Sequence, residues 1–247
     1  MLKTLIVIPT YNEIENLEKL ISDVMAVVHT NTHILIVDDN SPDGTGELAD
    51  NISQKNPRVQ VLHRPRKMGL GTAYVSGFKQ GLAQGFEVLV EMDCDFSHDP
   101  KYLPLFFEEL KNSDVVVGSR YIPGGGVVNW GVARKVISKG GSLYARSILG
   151  LRVKDLTGGY NCWKRSVIQA IDMDSIKSDG YSFQIEMKYK AWLHGFKLKE
   201  VPIIFEDRYL GKSKMSQKIV VEAMYRVFLM RLQHLGFRQN LPKHKET

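Results

Sequence analysis

The first 120 residues alternate short apolar segments with amphipathic ones, and this alternation limits the folds open to the chain. The apolar segments predict five strands, at Leu5–Pro9, Ile34–Val37, Val59–His63, Val88–Met92 and Val115–Gly118. The first intervening segment has apolar residues at the 3.6-residue period of a helix, namely Ile14, Leu17, Ile21, Val24 and Val28. Apolar strands separated by such helices predict a parallel sheet that is covered on both faces.

The remaining elements are predicted from the same periodicities. Asn12 is the predicted N-cap of the first helix, because Asn accepts hydrogen bonds from free helix N–H groups. Further helices are predicted from Thr45, Leu70 and Lys101, over Val132–Leu149, around Ser182–Leu193 and over Met215–Gly236. A strand is predicted at Lys199–Phe205. The chain has no obvious linker, so we expect one compact catalytic unit over residues 1–214 and a C-terminal helix with a basic tail over residues 215–247.

Polar residues follow four of the five predicted strands. They lie in the segments Pro9–Glu13, Asp38–Ser41, Asp93–Asp95 and Gly118–Tyr121. In open parallel sheets, ligands bind beyond the carboxyl ends of the strands. Four polar strand ends at one edge of the sheet therefore predict an active site there.

Asp93 and Asp95 are separated by a single residue at the end of the most apolar strand. Alternation along an extended strand places both side chains on the same side. Two carboxylates held so close raise each other's pKa unless a cation lies between them. A solvated turn is the alternative, because Asp is common in turns. Oxygen ligands of this kind suit Mg²⁺ or Mn²⁺.

Composition and motif content exclude several classes of function. Hydrophobic residues make up 43% of the chain and charged residues 24%, which is ordinary for a globular protein. The chain lacks a P-loop, a dinucleotide-binding glycine pattern and a G-x-S-x-G nucleophile motif. It also lacks an aromatic-studded basic groove, so no nucleic-acid partner is expected. Two cysteines, no signal peptide and no spanning apolar run lead us to expect a cytosolic setting.

Six segments occur in an order that resembles a known family. They are Pro9–Glu13, Val37–Thr45, Gly69–Tyr74, Asp93–His98, Gly118–Tyr121 and Asp155–Gly159. Together they resemble the family-2 inverting glycosyltransferases, and most closely the polyprenol-phosphate (dolichol-phosphate) mannosyltransferases. The resemblance extends from about residue 4 to about residue 218. It implies a three-layer α/β/α nucleotide-diphospho-sugar transferase fold, Rossmann-like with a mostly parallel sheet, followed by a C-terminal amphipathic helix.

The resemblance also implies residues for the donor and the cation. The base and ribose of the nucleotide would be held by Pro9, Tyr11, Glu13, Val37 and Asp39. The cation would be bound by Asp93 and Asp95, with Ser97 where some members place a further ligand. Cys94 would contribute mainly its backbone. The implied donor is GDP-mannose.

Basic residues are implied at the reaction centre and around the acceptor. Arg120, Arg208 and Lys214 would contact the donor phosphates and form the catalytic set with Asp95. Arg134 and Ser138, together with Arg120, would hold the phosphate of a polyprenyl acceptor. Two alternatives remain open from the residues themselves. Arg120 could pair structurally with an acidic neighbour, and Asp155 either binds the acceptor or caps the turn Thr157–Gly159. His98 is expected to be a structural hydrogen-bonding group, and Cys162 and Trp163 are expected in the core.

A phosphate acceptor explains why arginines are expected where a hydroxyl acceptor would need a carboxylate base. A phosphate monoester has a second pKa near 6, so its oxygen is already anionic near neutral pH. It needs cations to dock it and no general base. A single in-line displacement would give a β-linked sugar phosphate. Transfer of glucose or another sugar, a soluble acceptor, and a non-catalytic membrane-docking subunit are the alternative functions.

Positive charge is concentrated in the C-terminal part of the chain. Nine Lys or Arg residues follow Asp207 against two Glu residues, whereas the whole chain has a net charge of +6. On a helical wheel, Val221, Met224, Phe228, Leu232 and Leu235 share one face, opposite Lys218, Glu222, Arg226 and Gln233. This pattern indicates either a helix that packs on the domain surface or an interfacial helix on anionic lipid. We expect a peripheral protein on the cytoplasmic face of a membrane, bound directly or through a small membrane-anchoring subunit.

Overall fold

The computed structural model describes residues 2–176, 178–206 and 217–233. Its strands are β1 (Thr4–Thr10), β2 (Thr32–Asp38), β3 (Val59–His63), β4 (Val88–Glu91), β5 (Val115–Ser119), β6 (Gly126–Val128), β7 (Asn161–Lys164), β8 (Leu198–Pro202) and β9 (Ile204–Glu206). Seven of these strands form the main sheet, in the order β3-β2-β1-β4-β7-β5-β8. All strands of the main sheet run in one direction except β7. The predicted mostly parallel sheet is confirmed.

Helices cover both faces of this sheet. They are α1 (Ile14–Val27), α2 (Thr45–Lys55), α3 (Leu70–Ala83), α4 (Leu103–Glu109), α5 (Val132–Leu149), α6 (Arg165–Ala170), α7 (Gly180–Leu193) and α8 (Gln217–Gln233). One core cluster contains buried residues of α1, α2 and α4, and the other contains buried residues of α3, α5, α6, α7 and α8. The three-layer α/β/α arrangement and the C-terminal helix are therefore as predicted.

The central strands contain continuous apolar runs because both of their faces are buried. In β1, Leu5 and Val7 belong to one core cluster, whereas Ile6 and Ile8 belong to the other. All four side chains are fully buried. A strand covered on one face would alternate apolar and polar residues. The continuous apolar run in the sequence therefore indicates that helices cover the second face as well.

Strand β7 was not predicted, and it interrupts the parallel order. Its residues pair antiparallel with β4 on one side and with β5 on the other. Cys162 and Trp163 lie at its centre and are fully buried, which confirms their prediction as core. The strand is only four residues long. A run so short resembles any buried segment, so the sequence pattern did not reveal that it inserts into the sheet.

The single strand predicted at Lys199–Phe205 is divided between two sheets. β8 pairs with β5 as far as Pro202, and β9 pairs with β6 in a separate two-stranded parallel sheet. Ile203 joins the two sheets, because its N–H donates to the Ser119 carbonyl (3.1 Å) and its carbonyl accepts from Gly126 (3.0 Å). The segment after Gly124 thus begins with a short strand before α5 starts.

Asn12 is not the N-cap of α1, and that prediction was wrong. Glu13 occupies the cap position, and Asn12 adopts a positive φ of 62°. The N–H groups at this helix start are bound by the loop after β2 instead. Asp43 accepts from Ile14 (3.2 Å) and Thr45 accepts from Glu13 (3.0 Å). Contacts with residues that are distant in the sequence therefore take the place of a local N-cap at the start of α1.

The C-terminal helix α8 packs on the domain through residues outside the predicted apolar stripe. Val227 and Met230 are buried in the core cluster with α5 and α7. Within the described residues, no helix is both long enough and apolar enough to cross a membrane. The predicted domain boundary at residue 214 falls outside the described residues and stays a prediction.

Candidate active site

The carboxyl ends of the parallel strands bring the predicted polar residues to one edge of the sheet. The register pairs Thr10 with Asp38 and Asp38 with His63, so β1, β2 and β3 end level with one another. Each of these strands is followed by residues at the same edge, including Tyr11, Asp39 and Arg64. The parallel topology therefore assembles this site from distant parts of the sequence.

The predicted ribose ligand Asp39 is held by a buried arginine. Its carboxylate forms an ion pair with Arg64, and it also accepts the N–H of Met68 (3.1 Å). Arg64 itself donates to the Thr72 hydroxyl (2.7 Å) and to the Gly69 carbonyl (3.0 Å). These bonds connect the ends of β2 and β3 with the start of α3. Arg64 was missed by the sequence reasoning, although the strand-end rule that selected Asp39 applies equally to the residue after β3.

The other predicted nucleotide residues surround the same strand ends. Pro9 and Val37 are register partners in β1 and β2. The Glu13 carboxylate accepts a hydrogen bond from the Asn16 amide (2.7 Å). Tyr11 is partly exposed, and the Lys67 ammonium lies 3.8 Å from the centre of its ring. The structure thus places these four residues and Asp39 around one part of the sheet edge.

The carboxylates of Asp93 and Asp95 are each held from the protein side by hydroxyl groups. The Tyr74 hydroxyl donates to Asp93 Oδ1 (2.9 Å). Ser97 donates to Asp95 Oδ1 through its hydroxyl (2.5 Å) and its N–H (3.1 Å). The predicted third cation ligand, Ser97, is therefore hydrogen-bonded to the second predicted ligand, Asp95. Cys94 between the two aspartates is buried, and burial raises the pKa of its thiol.

The donor set fits a hard divalent cation that also binds a substrate phosphate. Asp93 is 28% exposed, so the site is open to solvent on one side. Within the described ranges, no cluster of three or more His, Cys, Asp or Glu side chains could form a complete protein cage. Mg²⁺ and Mn²⁺ commonly take one or two carboxylates and complete their coordination with phosphates and water.

His98 supports the loop that carries these carboxylates. The backbone N–H of Asp93 donates to His98 Nδ1 (2.9 Å), which leaves the ring proton on Nε2, 3.9 Å from Asp93 Oδ2. The ring stacks on Tyr160 with centroids 4.7 Å apart. Burial lowers the pKa of His98, so the imidazole is neutral near pH 7. These contacts agree with its prediction as a structural hydrogen-bonding group.

A buried ion pair lies among the residues that were predicted to hold the acceptor. Arg120 binds both carboxylate oxygens of Asp155, with Nε–Oδ2 and Nη2–Oδ1 distances of 2.7 Å. Asp155 is fully buried and also accepts the N–H of Gly158 (3.0 Å). Burial alone would raise the pKa of Asp155, but the charge and hydrogen bonds of Arg120 outweigh burial and hold it below its ordinary value. Asp155 therefore caps its turn and fixes Arg120 at the same time.

Aromatic rings connect Arg120 with the other predicted acceptor residues. The Arg120 guanidinium carbon lies 5.4 Å from the centre of the Trp130 ring, and that of Arg134 lies 4.1 Å from it. The Tyr121 hydroxyl donates to Ser138 (2.7 Å). The structure therefore brings Arg120, Arg134 and Ser138 together through Trp130 and Tyr121. Arg208 and Lys214, predicted at the reaction centre, lie outside the described residues.

A second set of buried charged residues, Glu91 and Lys188, lies between the predicted cation site and the Arg120–Asp155 pair. It was not predicted from the sequence. Glu91, two residues before Asp93, accepts from the Asn161 amide (2.8 Å). The Lys188 ammonium donates to the carbonyls of Gly158 (2.6 Å) and Leu156 (3.3 Å). Burial raises the pKa of Glu91 and lowers that of Lys188, while each charge favours the other. The sequence of α7 gives no sign that Lys188 is buried, so only the folded structure identifies it as a buried charge.

Solved structures with the same fold support the architecture. Glucosyl-3-phosphoglycerate synthase from Mycobacterium tuberculosis, in complex with Mn²⁺, UDP-glucose and phosphoglyceric acid, superposes with a TM-score of 0.66. The match covers 94% of this chain and 80% of that chain, at 15% sequence identity. The complex of the same enzyme with phosphoglyceric acid gives a TM-score of 0.65 at 16% identity. At this identity the likeness concerns the fold alone.

Curated relatives are much closer in sequence. The undecaprenyl-phosphate mannosyltransferase of Micrococcus luteus is 48% identical over 92% of this chain and 93% of its own length. The polyprenol monophosphomannose synthase of Mycolicibacterium smegmatis is 47% identical over 91% of this chain and 85% of its own length. The dolichol-phosphate mannosyltransferase of Pyrococcus furiosus is 38% identical over 92% of this chain, which spans 63% of that relative.

The family pattern itself extends from the first strand to the end of α6. The description "Glycosyl transferase family 2" matches residues 5–172, which include Asp39, the two predicted cation carboxylates and the Arg120–Asp155 pair. The match therefore covers more than half of the chain and most of the site. This chain belongs to glycosyl transferase family 2 and is a glycosyltransferase.

Proposed function

We propose that the protein transfers mannose from GDP-mannose to a polyprenyl monophosphate, with inversion at the anomeric carbon, and so forms a β-linked lipid phosphate sugar. The relatives at 47–48% identity are named as mannosyltransferases or synthases of this kind, and that level of identity over more than nine-tenths of the chain supports the same substrate class. The guanine nucleotide and the β linkage are the finer parts of the proposal.

The observation that carries the proposal is the state of the acceptor side. Asp155 is fully buried, binds Arg120 through two oxygens and has a lowered pKa, so it is unsuited to remove a proton from an acceptor. Arg134 and Ser138 lie next to this pair. Cationic and hydroxyl donors around an unavailable carboxylate suit an acceptor that arrives as an anion. A phosphate monoester meets that requirement, because it is anionic near neutral pH.

The residues divide the work between binding and charge stabilisation. Pro9, Tyr11, Glu13, Val37 and Asp39 hold the nucleoside, and Arg120, Arg208 and Lys214 contribute positive charge for the donor phosphates. Asp93 and Asp95, with Ser97, hold Mg²⁺ or Mn²⁺, which supplies positive charge opposite the leaving diphosphate. Arg134 and Ser138 orient the acceptor phosphate for in-line attack from the opposite side of the sugar. The neighbouring enzyme solved with Mn²⁺ and a nucleotide sugar supports the cation assignment by analogy of fold.

Exposed apolar side chains support a membrane surface next to the proposed acceptor side. On α8, Met224, Phe228 and Leu232 are each nearly half exposed, and Tyr225 is 62% exposed. On α5, the exposed apolar residues are Val132, Val136, Ile137 and Leu143. The two helices contact each other, and the Tyr144 hydroxyl donates to the Met224 carbonyl (3.2 Å). Because α5 also carries Arg134 and Ser138, a bilayer against these helices would deliver the lipid phosphate to them.

Product analysis tests the proposal directly. The full chain is incubated with Mn²⁺, a polyprenyl phosphate and either labelled GDP-mannose or labelled UDP-glucose, and the lipids are then extracted. We expect label in the lipid fraction with GDP-mannose only, in a product that is labile to mild acid, and NMR of the anomeric proton assigns the linkage. Label from UDP-glucose instead would overturn the donor assignment. Label that stays in the aqueous phase with both donors would overturn the acceptor assignment.

A further inference from the structure

The segment Gly69–Tyr74 is one of the six ordered motifs, and its last residue contacts a cation carboxylate. Tyr74 is fully buried in α3, and its hydroxyl donates to Asp93 Oδ1 at 2.9 Å. Buried phenol groups are costly unless their hydroxyl finds a partner. The partner here is a carboxylate that is itself 28% exposed on its other side. Tyr74 therefore connects the interior of the protein with the predicted cation site.

Glycines on one face of α3 bring Tyr74 to this position. Gly77 and Gly81 follow Tyr74 by three and seven residues, so all three share the face that lies against the sheet. A Cβ atom on Gly77 would lie 2.4 Å from Val7 Cγ1, and one on Gly81 would lie 2.4 Å from Leu89 Cδ2. At Gly77 and Gly81 the helix thus lies closer to β1 and β4 than a side chain at either position would allow. The ring of Tyr74 is then fixed by stacking on Phe183, with centroids 6.0 Å apart and planes 8° apart.

The hydrogen bond from Tyr74 restricts how the Asp93 carboxylate can turn. Oδ1 is held by the phenol, and Oδ2 faces the Nε2–H of His98 at 3.9 Å. The backbone of the same residue is held by His98 Nδ1 (2.9 Å). A carboxylate has about four lone-pair sites on its two oxygens, so one bond from a phenol does not exhaust its capacity to accept others. The contacts with Tyr74 and His98 therefore favour one orientation of the carboxylate before any ligand arrives.

We propose that Tyr74 is a positioning residue for the divalent cation, which acts by orienting the Asp93 carboxylate and makes no contact with the substrate. The inference rests on the proposed function in taking Asp93 as a cation ligand. Partners that orient metal ligands in this way commonly change metal affinity by 10- to 100-fold when they are removed.

Replacement of Tyr74 by Phe removes the hydroxyl and keeps the stacked ring. Mn²⁺ binding to the full chain is measured by calorimetry in the presence of GDP, and GDP binding is measured separately without metal. In the Tyr74→Phe variant we expect the Mn²⁺ affinity to fall about tenfold and the metal-free GDP affinity to stay unchanged. Transfer activity should fall at low Mn²⁺ concentration and recover towards the wild-type kcat when Mn²⁺ is raised.

Tyr189→Phe is the matched control. Tyr189 is also a fully buried tyrosine, but it lies in α7 and stacks on Trp192. This variant should keep the wild-type Mn²⁺ affinity. Equal Mn²⁺ affinity in Tyr74→Phe and the wild type would overturn the proposal. So would a parallel loss of Mn²⁺ affinity, metal-free GDP affinity and thermal midpoint, because that pattern belongs to a residue that supports only the core.

The two levels of inference fail in different ways. If the wild-type chain binds Mn²⁺ no better with GDP or UDP than without a nucleotide, the cation assignment of the proposed function is overturned, and the role of Tyr74 with it. If the wild type shows nucleotide-dependent Mn²⁺ binding and Tyr74→Phe matches it, only the role of Tyr74 is overturned.

Discussion

The cation site on the proposed donor side and the proposed acceptor side are built in different ways. Asp93 and Asp95 lie within four residues of the end of β4, and hydroxyl groups hold their carboxylates at an edge where Asp93 is 28% exposed. On the acceptor side, Arg120 depends on Asp155, thirty-five residues away in sequence and fully buried. Removing a cation-site carboxylate should therefore change chemistry, whereas removing the acceptor-side carboxylate should change stability.

The largest expected effect is the loss of transfer in Asp95→Ala. Metal charge stabilisation of a leaving group contributes several kcal/mol, so transfer should fall by roughly 1000-fold or more. The fold should remain intact, because the side chain lies in the loop after β4 and its hydrogen bonds with Ser97 are local. Label transfer and circular dichroism measure the two properties.

Asp23→Ala is the control for this variant. Asp23 is an exposed aspartate on α1 that pairs with Lys19. It should keep full activity. An Asp95→Ala variant that unfolds, or one that retains more than a few per cent of activity, would contradict the expectation that Asp95 is needed for the reaction and not for the fold.

Asp155→Asn should reduce stability most strongly. It leaves the buried guanidinium of Arg120 without its charge partner, which typically costs about 3–5 kcal/mol of unfolding free energy. The folded-state pKa of Asp155 is lowered, so its contribution is present above the unfolded pKa of about 4 and is lost as pH falls through the folded pKa. Denaturant unfolding at pH 7 and at decreasing pH measures both effects.

The double variant Arg120→Met with Asp155→Leu completes this test. It replaces the pair with apolar side chains and should recover part of the stability that Asp155→Asn loses, although it should not transfer sugar. If Asp155→Asn is as stable as the wild type at pH 7, the structural account of the acceptor side is wrong.

Arg134→Ala should separate the two substrates. Arg134 lies over Trp130 beside Arg120, and a hydrogen bond to a charged group contributes about 1.5–3 kcal/mol. We therefore expect the KM for polyprenyl phosphate to rise by roughly 10- to 100-fold, while the KM for the donor changes little. Steady-state kinetics with each substrate varied in turn provide the measurement.

Arg58→Ala is the matched control for Arg134, since Arg58 lies before β3 and donates to His29. It should leave both KM values unchanged. A large loss of donor affinity with unchanged acceptor kinetics in Arg134→Ala would show that Arg134 acts on the donor. The assignment of Arg134 to the acceptor side would then be wrong.

The smallest expected effect is on membrane binding. Phe228 and Leu232 are nearly half exposed on α8, whereas Val227 and Met230 hold the helix on the core. The double variant Phe228→Ser with Leu232→Ser should therefore keep the fold and bind anionic vesicles roughly tenfold more weakly, from the loss of apolar burial in the interface. Flotation with anionic and neutral vesicles is the assay. Leu2→Ser, also at an exposed leucine, is the control, and equal flotation of both variants would exclude this surface.

The helical wheel of α8 is compatible with an apolar stripe that packs on the domain and with one that faces lipid. In the structure Met224, Phe228 and Leu232 are nearly half exposed, because other residues make the core contacts, and their contact with lipid stays a prediction. Leu235 and the side chain of Val221 lie outside the described part of the chain. A helical wheel identifies a face, but it cannot identify which of two apolar faces the neighbouring helices will cover.

Several elements were predictable from the sequence because they depend on local periodicity. β3 at Val59–His63 and α5 at Val132–Leu149 have the predicted boundaries, and α2 and α3 begin where expected. The placement of Asp39, Asp93, Asp95 and Arg120 at one edge followed from the parallel topology. β7, the division of the last strand and the true cap of α1 were not predictable, since each is decided by partners from other parts of the chain.

The sequence by itself determined the class of fold, the family and the residues that follow each strand, because period and motif order are properties of neighbouring residues. Only the tertiary structure decided what holds those residues. It paired Arg64 with Asp39, Tyr74 with Asp93 and Asp155 with Arg120. These partners are 19 to 35 residues apart. Hydrogen bonds and ion pairs form between groups that packing brings within about 3 Å, and such distances depend on how close helices and strands approach one another.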